Sequence, residues 1–288
     1  MNAIYPYLII VLIILIGVGY GLSHFLKKKP QPEAPPEPTI HLVSAEAAAR
    51  RALCLHTIME RGKLEYIISM ARHDQPGQVA KVIEQFKPVS DRITDYLKAW
   101  GLWESLSRKE KALLEKEFGD WSQKEITDAS WRADSLLVIE WALGLQEEIA
   151  PYDQQAGEKV EEILPTKQPK EFIARARLKP DTEIAEARDI AELWLWRART
   201  TQIQKSPDQY PPPRGSTYEM IIQKTVEKAE ADGLFKSIGQ DFPAFGKSYK
   251  SLTEEELSQA MSIASERLYA LNWLCGYAQD WDTVPTDT

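Results

Sequence analysis

Residues Ser130 to Leu145 read SWRADSLLVIEWALGL, the most apolar run of the chain outside its N-terminus. A series this long, with two tryptophans and no proline, predicts a helix covered by protein on nearly all sides. That helix, expected over about 131–148 and closed by Pro151, is the axis of the fold. Arg132 and Glu140 stand out in it as polar groups that need partners. Because Leu136, Leu137, Leu143 and Gly144 are the helical neighbours of Glu140, an unpaired carboxylate there is costly. It should meet an arginine such as Arg188 or Arg197, with a raised pKa as the alternative.

Working back from this axis, Ser44 to Met70 is rich in alanine and leucine and predicts a helix with a possible break at Gly62. Pro76-Gly77 interrupts the chain, Gln78 to Phe86 forms a short helix, and Ile93, Tyr96, Leu97 and Trp100 follow at helical spacing. Capping-box spacings mark helix starts at Ser107 with Glu110 and Ser122 with Glu125, the first of these helices ending at Gly119. Forward of the axis, Pro180-Asp181 opens a helix through Gln202. Ser216 with Glu219 opens another, and Thr253 with Glu256 opens the last, striped by Leu257, Met261, Ala264, Leu268, Leu271 and Cys275. With no credible strand and no fixed repeat, the fold class is all-α: a multi-helix globular domain over residues 44–288.

Before that domain, Tyr5 to Phe25 contains no Asp, Glu, Lys or Arg, long enough at about 1.5 Å per residue to cross a bilayer core of about 30 Å. Residues 1–29 therefore read as a single-pass transmembrane anchor with a basic flank. No basic stretch precedes the span and no small-residue cleavage site follows it, which disfavours a cleaved signal. Lys27, Lys28 and Lys29 directly after it place the domain on the cytoplasmic side of the inner membrane by the positive-inside tendency. Gly17 and Gly21 form a GxxxG that could support a dimer. Residues 30–43 are a spacer, with five prolines in Pro30–Pro38.

The formal net charge is −8, and those three lysines are the only charges before residue 30, so the domain is more acidic than the whole chain. That repels phosphate backbones and argues against nucleic acid as a partner. Cys54 and Cys275 form no CxxC and suggest neither a disulfide framework nor a zinc site. Since His24 and His41 belong to the anchor and spacer, histidine-dependent catalysis or metal binding must rely on His56 or His73. HExxH is absent, and no cofactor signature is present. GQDFPAFGKS at Gly239–Ser248 imitates a phosphate-binding loop, but Asp241 stands where a glycine is needed and no strand precedes it.

The nine tryptophans lie between Trp100 and Trp281, four of them beside charged or amide residues: Trp131-Arg132, Trp196-Arg197, Asn272-Trp273 after Glu266-Arg267, and Trp281-Asp282. Arginine stacks on indole and grips carboxylates. Two readings stay open, a core of large aromatics pinned by buried ion pairs or a Trp/Arg-lined groove facing a ligand. Candidate ligand-binding residues for the second are Trp131, Arg132, Glu140, Trp141, Glu183, Arg188, Asp189, Trp196, Arg197, Glu266, Arg267, Asn272, Trp273, Trp281 and Asp282. Glu183, Glu186, Asp189 and Glu192 step by three, drift around their helix and read as a solvated face rather than a metal site.

These residues carry a resemblance. Arg50-Arg51, Glu60-Arg61-Gly62, Trp131-Arg132, Trp141-Ala142-Leu143-Gly144, Glu183-Ile184, Arg188-Asp189, Trp196-Arg197, Glu266-Arg267, Ala270-Leu271-Asn272-Trp273 and the ending from Trp281-Asp282 to Asp287-Thr288 form an ordered series. Over about residues 45–288 the chain resembles the bacterial family catalogued as domain of unknown function 4272. The resemblance implies a mostly helical domain and no established activity, and it leaves the anchor and spacer outside.

The functional expectation is a membrane-tethered cytoplasmic binding or scaffolding module for a protein or small polar ligand. The alternatives are a hydrolase using Glu140, Glu183 or Asp189 with arginine stabilisation, and an immunity-type protein binding a basic partner.

Overall fold

The computed structural model describes residues 40–286 except 158 and 207. The expected span at Tyr5–Phe25, its Gly17/Gly21 pair and the proline spacer lie outside the described residues. Among those described, no helix is long and apolar enough to cross a membrane.

The chain enters through Val43, whose N–H donates to the Leu274 carbonyl at 2.9 Å. Ser44 Oγ then accepts from Ala47 N and caps α1 (Ala45–Asp74), which runs unbroken through Gly62. The expected break is absent because this glycine serves packing. A Cβ on it would meet Ala129 Cβ at 2.8 Å, so its lack of a side chain lets α1 lie against α4 (Gln123–Ala142). Between them come α2 (Val79–Ala99) and the short α3 (Arg108–Leu114). The two helices expected between Gln78 and Trp100 are one. Pro88 sits inside α2 with its ring exposed, and the helix carries on past the missing donor. α3 stops at Leu114, ahead of Gly119, whose positive φ of 101° instead forms a turn that donates its N–H to Glu65 Oε1.

The predicted axis holds. Every residue of α4 from Ala133 to Ala142, and Leu143 after it, is buried. Its helical part closes at Ala142, shorter than expected, and Gly144 turns the chain away at φ 72°. Burying Leu136, Leu137, Val138 and Ile139 contributes about 1.5–3 kcal/mol each. After α5 (Lys159–Ile163) and α6 (Pro169–Arg175) come α7 (Asp181–Gln204), α8 (Tyr218–Ala231) and α9 (Glu254–Leu274). The long helices pack in the order α2, α1, α4, α9, α7, so α4 is flanked by α1 and α9.

Capping boxes at Ser107, Ser122 and Thr253 form as expected. At α8 the cap is Thr217, one residue later than Ser216, and its hydroxyl accepts from Met220 N. The stretch that imitates a phosphate loop is a hairpin that the all-α expectation missed: β1 (Pro243–Ala244) pairs antiparallel with β2 (Lys247–Ser248), Pro243 opposite Ser248. Phe245 and Gly246, both at positive φ, make its turn.

Candidate functional site

The arginines of the Trp-Arg series are mostly engaged with carboxylates. Arg267, fully buried on α9, grips Asp134 of α4 through Nε (3.0 Å) and Nη2 (2.9 Å). Its remaining donors hold the carbonyls of Ala150, Pro151 and Gln154. Burial pushes the Asp134 pKa up, and the Arg267 charge opposes the rise. Arg197 makes a two-pronged pair with Asp241 at 2.7 and 2.6 Å. The carboxylate that takes the glycine's place in the loop-like stretch thus anchors the hairpin, and it also accepts from Phe242 N and Lys250 N.

Arg132 meets both oxygens of Glu266, one of which also receives Ser135 Oγ. Arg188 donates to Asn272, Asp189 and Glu192 and lies 4.9 Å from the Tyr277 ring. Trp273 and Trp281 pack edge to face at 5.4 Å, under Arg51, which pairs with Glu110 at 2.7 Å. Asp282 accepts the backbone N–H of Lys109. Trp131 is half-buried against the core, as is Trp196, whose ring lies 6.4 Å from Phe242.

Glu140 departs from its expected partner. No arginine reaches it: Oε2 accepts from Gln146 Nε2 at 2.9 Å and Oε1 is buried with no partner. Burial, opposed by the Gln146 bond and assisted by the nearby Glu161 charge, lifts its pKa from 4.5 to about 8.

The cavity these networks frame is a cleft of about 660 Å³ beyond the C-terminal end of α4. Trp141, Tyr152, Trp194 and Phe235 supply its aromatic walls, and Glu147, Glu148, Asp153, Glu183 and Glu186 its charge. Among the described residues, no lysine or arginine lines it. Tyr152 stacks on Trp194 with centroids 5.3 Å apart and planes within 7°, while the Arg267 guanidinium lies 4.9 Å from the other ring of the pair, Tyr152. Arg267 therefore fixes this wall from behind, by ring contact and by its grip on the 150–154 carbonyls. Asp153 accepts from Phe245 N at 2.6 Å, tying the hairpin to the same loop.

Of the expected site residues, Trp141 and Glu183 line the cleft. Arg267 positions it. Arg132, Arg188, Asp189, Arg197 and Glu266 lie in the ion-pair networks, and Asn272, Trp273 and Trp281 touch arginines of these networks. Asp282 holds the Lys109 N–H, Trp131 and Trp196 pack against the core, and Glu140 belongs to none of these. The acidic run on α7 divides: Glu183 and Glu186 face the cleft with Ile190 and Trp194, while Asp189 and Glu192 hold Arg188. Tyr152, Trp194, Phe235, Glu147, Glu148 and Asp153 were missed. Their signal was the segment QEEIAPYD directly after the axis and the helical step from Glu183 to Glu186, Ile190 and Trp194. Asp134, buried within the axis itself, was missed too.

At the edge of the cleft lies Lys179, with Nζ 5.3 Å from the Trp141 centroid and 3.2 Å from Glu183. Among the described residues, no group of three or more His, Cys, Asp or Glu is placed to hold a metal ion.

The family model described as a domain of unknown function, DUF4272, matches residues 27–219. The chain belongs to that family. The DUF4272 match begins earlier than the resemblance suggested, taking in the basic flank and proline spacer, and it stops at the start of α8. The hairpin and α9, which supply Asp241, Glu266, Arg267 and Asn272, lie beyond it. Within the match, Arg51, Arg61 and Gly62 have structural work: Arg51 pairs with Glu110, Arg61 with Glu65 at 2.6 Å, and Gly62 admits α4. No curated protein and no solved structure matches the chain.

Proposed function

We propose that this is a binding module, tethered to the inner membrane through Tyr5–Phe25 with its domain on the cytoplasmic side, whose acidic aromatic cleft receives a lysine or arginine side chain of a protein partner. The observation that carries the reading is five carboxylates and four aromatic rings lining one cleft with no cation among them. A guanidinium or ammonium group gains there from ring faces and from charge-assisted hydrogen bonds together. The immunity-type expectation of a basic partner is one instance of the same chemistry.

Hydrolysis has less support. Glu140, Glu183 and Asp189 have different partners, Gln146, Lys179 and Arg188, and no hydrogen bond joins any two of them.

The test uses the full chain in dodecyl maltoside, titrated with hexa-arginine and hexa-glutamate peptides. Hexa-arginine should bind and hexa-glutamate should not. Replacing Glu147, Glu183 and Glu186 by Gln should weaken hexa-arginine by at least about ten-fold. The same change at the exposed Glu84, Glu115 and Glu227 should cost far less. Equal losses from both triple variants would leave only the general field of an acidic protein and would remove the cleft from the account.

A further inference from the structure

A second cavity, of about 500 Å³, opens between α1 and α2 and has the opposite preference. Val89, Ile93 and Tyr96 on α2, with Trp100 directly after it, form its apolar wall. The Tyr96 hydroxyl donates to the Thr166 carbonyl at 3.0 Å and ties that wall to the loop carrying Lys167. Trp100 meets Tyr96 edge to face at 6.5 Å, and the Lys170 ammonium lies 5.5 Å from the Trp100 centroid.

The donors and acceptors of this cavity do not balance. Arg92 and Lys167 line it, both exposed, and among the described residues neither makes an ion pair or hydrogen bond. Glu60, the carboxylate in the lining, is occupied by Lys63, which it shares with Glu161. The Thr57 hydroxyl is spent on the carbonyls of Leu53 and Cys54. His56 adds a further free group. Its Nδ1 is buried with no partner, and an orphaned lone pair costs less than an orphaned N–H, which places the ring proton on Nε2. Burial also lowers the His56 pKa, against the pull of Glu60, so the ring is a neutral donor. What is missing is an acceptor carrying negative charge.

We propose that this cavity binds a small aromatic anion, a single ring bearing a phosphate or carboxylate, with the ring against Trp100 and Tyr96 and the anionic group on Arg92, Lys167 and His56. Its volume falls in the range of small-molecule sites. The net negative charge of the chain does not forbid this, because at physiological ionic strength charges beyond about 8 Å are largely screened and the local cations dominate. The site is separate from the acidic cleft and draws on none of its residues.

Calorimetric titration of the full chain in dodecyl maltoside with phenyl phosphate, benzoate, phenol and inorganic phosphate separates ring from charge. At least one of the two aromatic anions should bind saturably in the millimolar range or tighter, with phenol and inorganic phosphate each weaker by at least about ten-fold. Phenyl phosphate against benzoate decides which acid the site takes. Arg92→Gln, at an exposed position, should keep the wild-type melting temperature and lose about ten-fold or more in affinity. Trp100→Leu should lose a similar factor. The Glu147, Glu183 and Glu186 to Gln variant should bind as wild type. Failure of both aromatic anions to saturate, unchanged binding by Arg92→Gln, or inorganic phosphate binding as tightly as phenyl phosphate each overturns the proposal.

Discussion

Replacing Glu140 by Gln should remove a specific part of the pH dependence of folding. The carboxyl lies in the wholly buried half of α4, with one oxygen on Gln146 and the other unpartnered, and burial holds its pKa at about 8 against 4.5 for the free group. Below 4.5 both folded and unfolded chains carry the proton, and the group contributes no pH dependence. From 4.5 up to about 8 the unfolded chain releases it while the folded chain keeps it, so the unfolded state binds fewer protons and stability falls as pH rises. The slope in that window is about 1.4 kcal/mol per pH unit, flattening above the folded pKa. Between about pH 5 and about pH 8 it accumulates to roughly 3 kcal/mol.

Gln has the same shape, keeps an acceptor for Gln146 and has no proton to lose. The stability difference between Glu140→Gln and wild type should therefore grow by roughly 3 kcal/mol across that interval, whatever its value at the acid end. Urea unfolding followed by tryptophan fluorescence reads it cleanly, since all nine tryptophans lie between Trp100 and Trp281. A difference that stays flat with pH would mean that Glu140 is ionised in the folded protein and that a cation reaches it. The account of the α4 end would then be wrong.

Arg267→Gln should cost about 3–5 kcal/mol, because it leaves Asp134 as a buried unpaired charge, and the double variant with Asp134→Asn should cost less than the sum of the two, measured by urea midpoints. Gly62→Ala should destabilise by about 1–3 kcal/mol through the 2.8 Å approach to Ala129, despite the better helix propensity of alanine, read from the thermal midpoint. Cys54 and Cys275 should resist a thiol-reactive disulfide at neutral pH until denaturant is added, since burial lifts their pKa values to about 12 and about 11. Rapid labelling of the folded chain would contradict the buried placement of α1 and the α9 end.

Much of the architecture was legible because its signals are local. A capping box spans four residues, and three of the four starts read this way are correct. At the fourth, Ser216 and Thr217 are adjacent hydroxyls and only the backbone decides which one caps. Apolar density marked α4 as the axis because no other solution buries so continuous a run. Where a residue's role depended on something distant, the local pattern misled. Gly62 looked like a helix break and is a contact point, and the short helix expected to end at Phe86 continues to Ala99, with Pro88 tolerated on an exposed face.

The candidate sites show the same division. The chain alone supplied the chemical inventory: arginines, indoles and carboxylates in excess, with a net negative charge. Which arginine meets which carboxylate was settled only in three dimensions, since Asp134 and Arg267 are 133 positions apart and Arg197 reaches Asp241 across a turn of chain that no periodicity marks. Ion pairing is decided by reach and burial, and a carboxylate is free to bind a ligand only once the nearby cations have been taken. Packing spent the arginines on Asp134, Asp241, Glu266 and Glu192, passed over Glu140, and left the carboxylates beyond the end of the Ser130–Leu145 stretch facing open space.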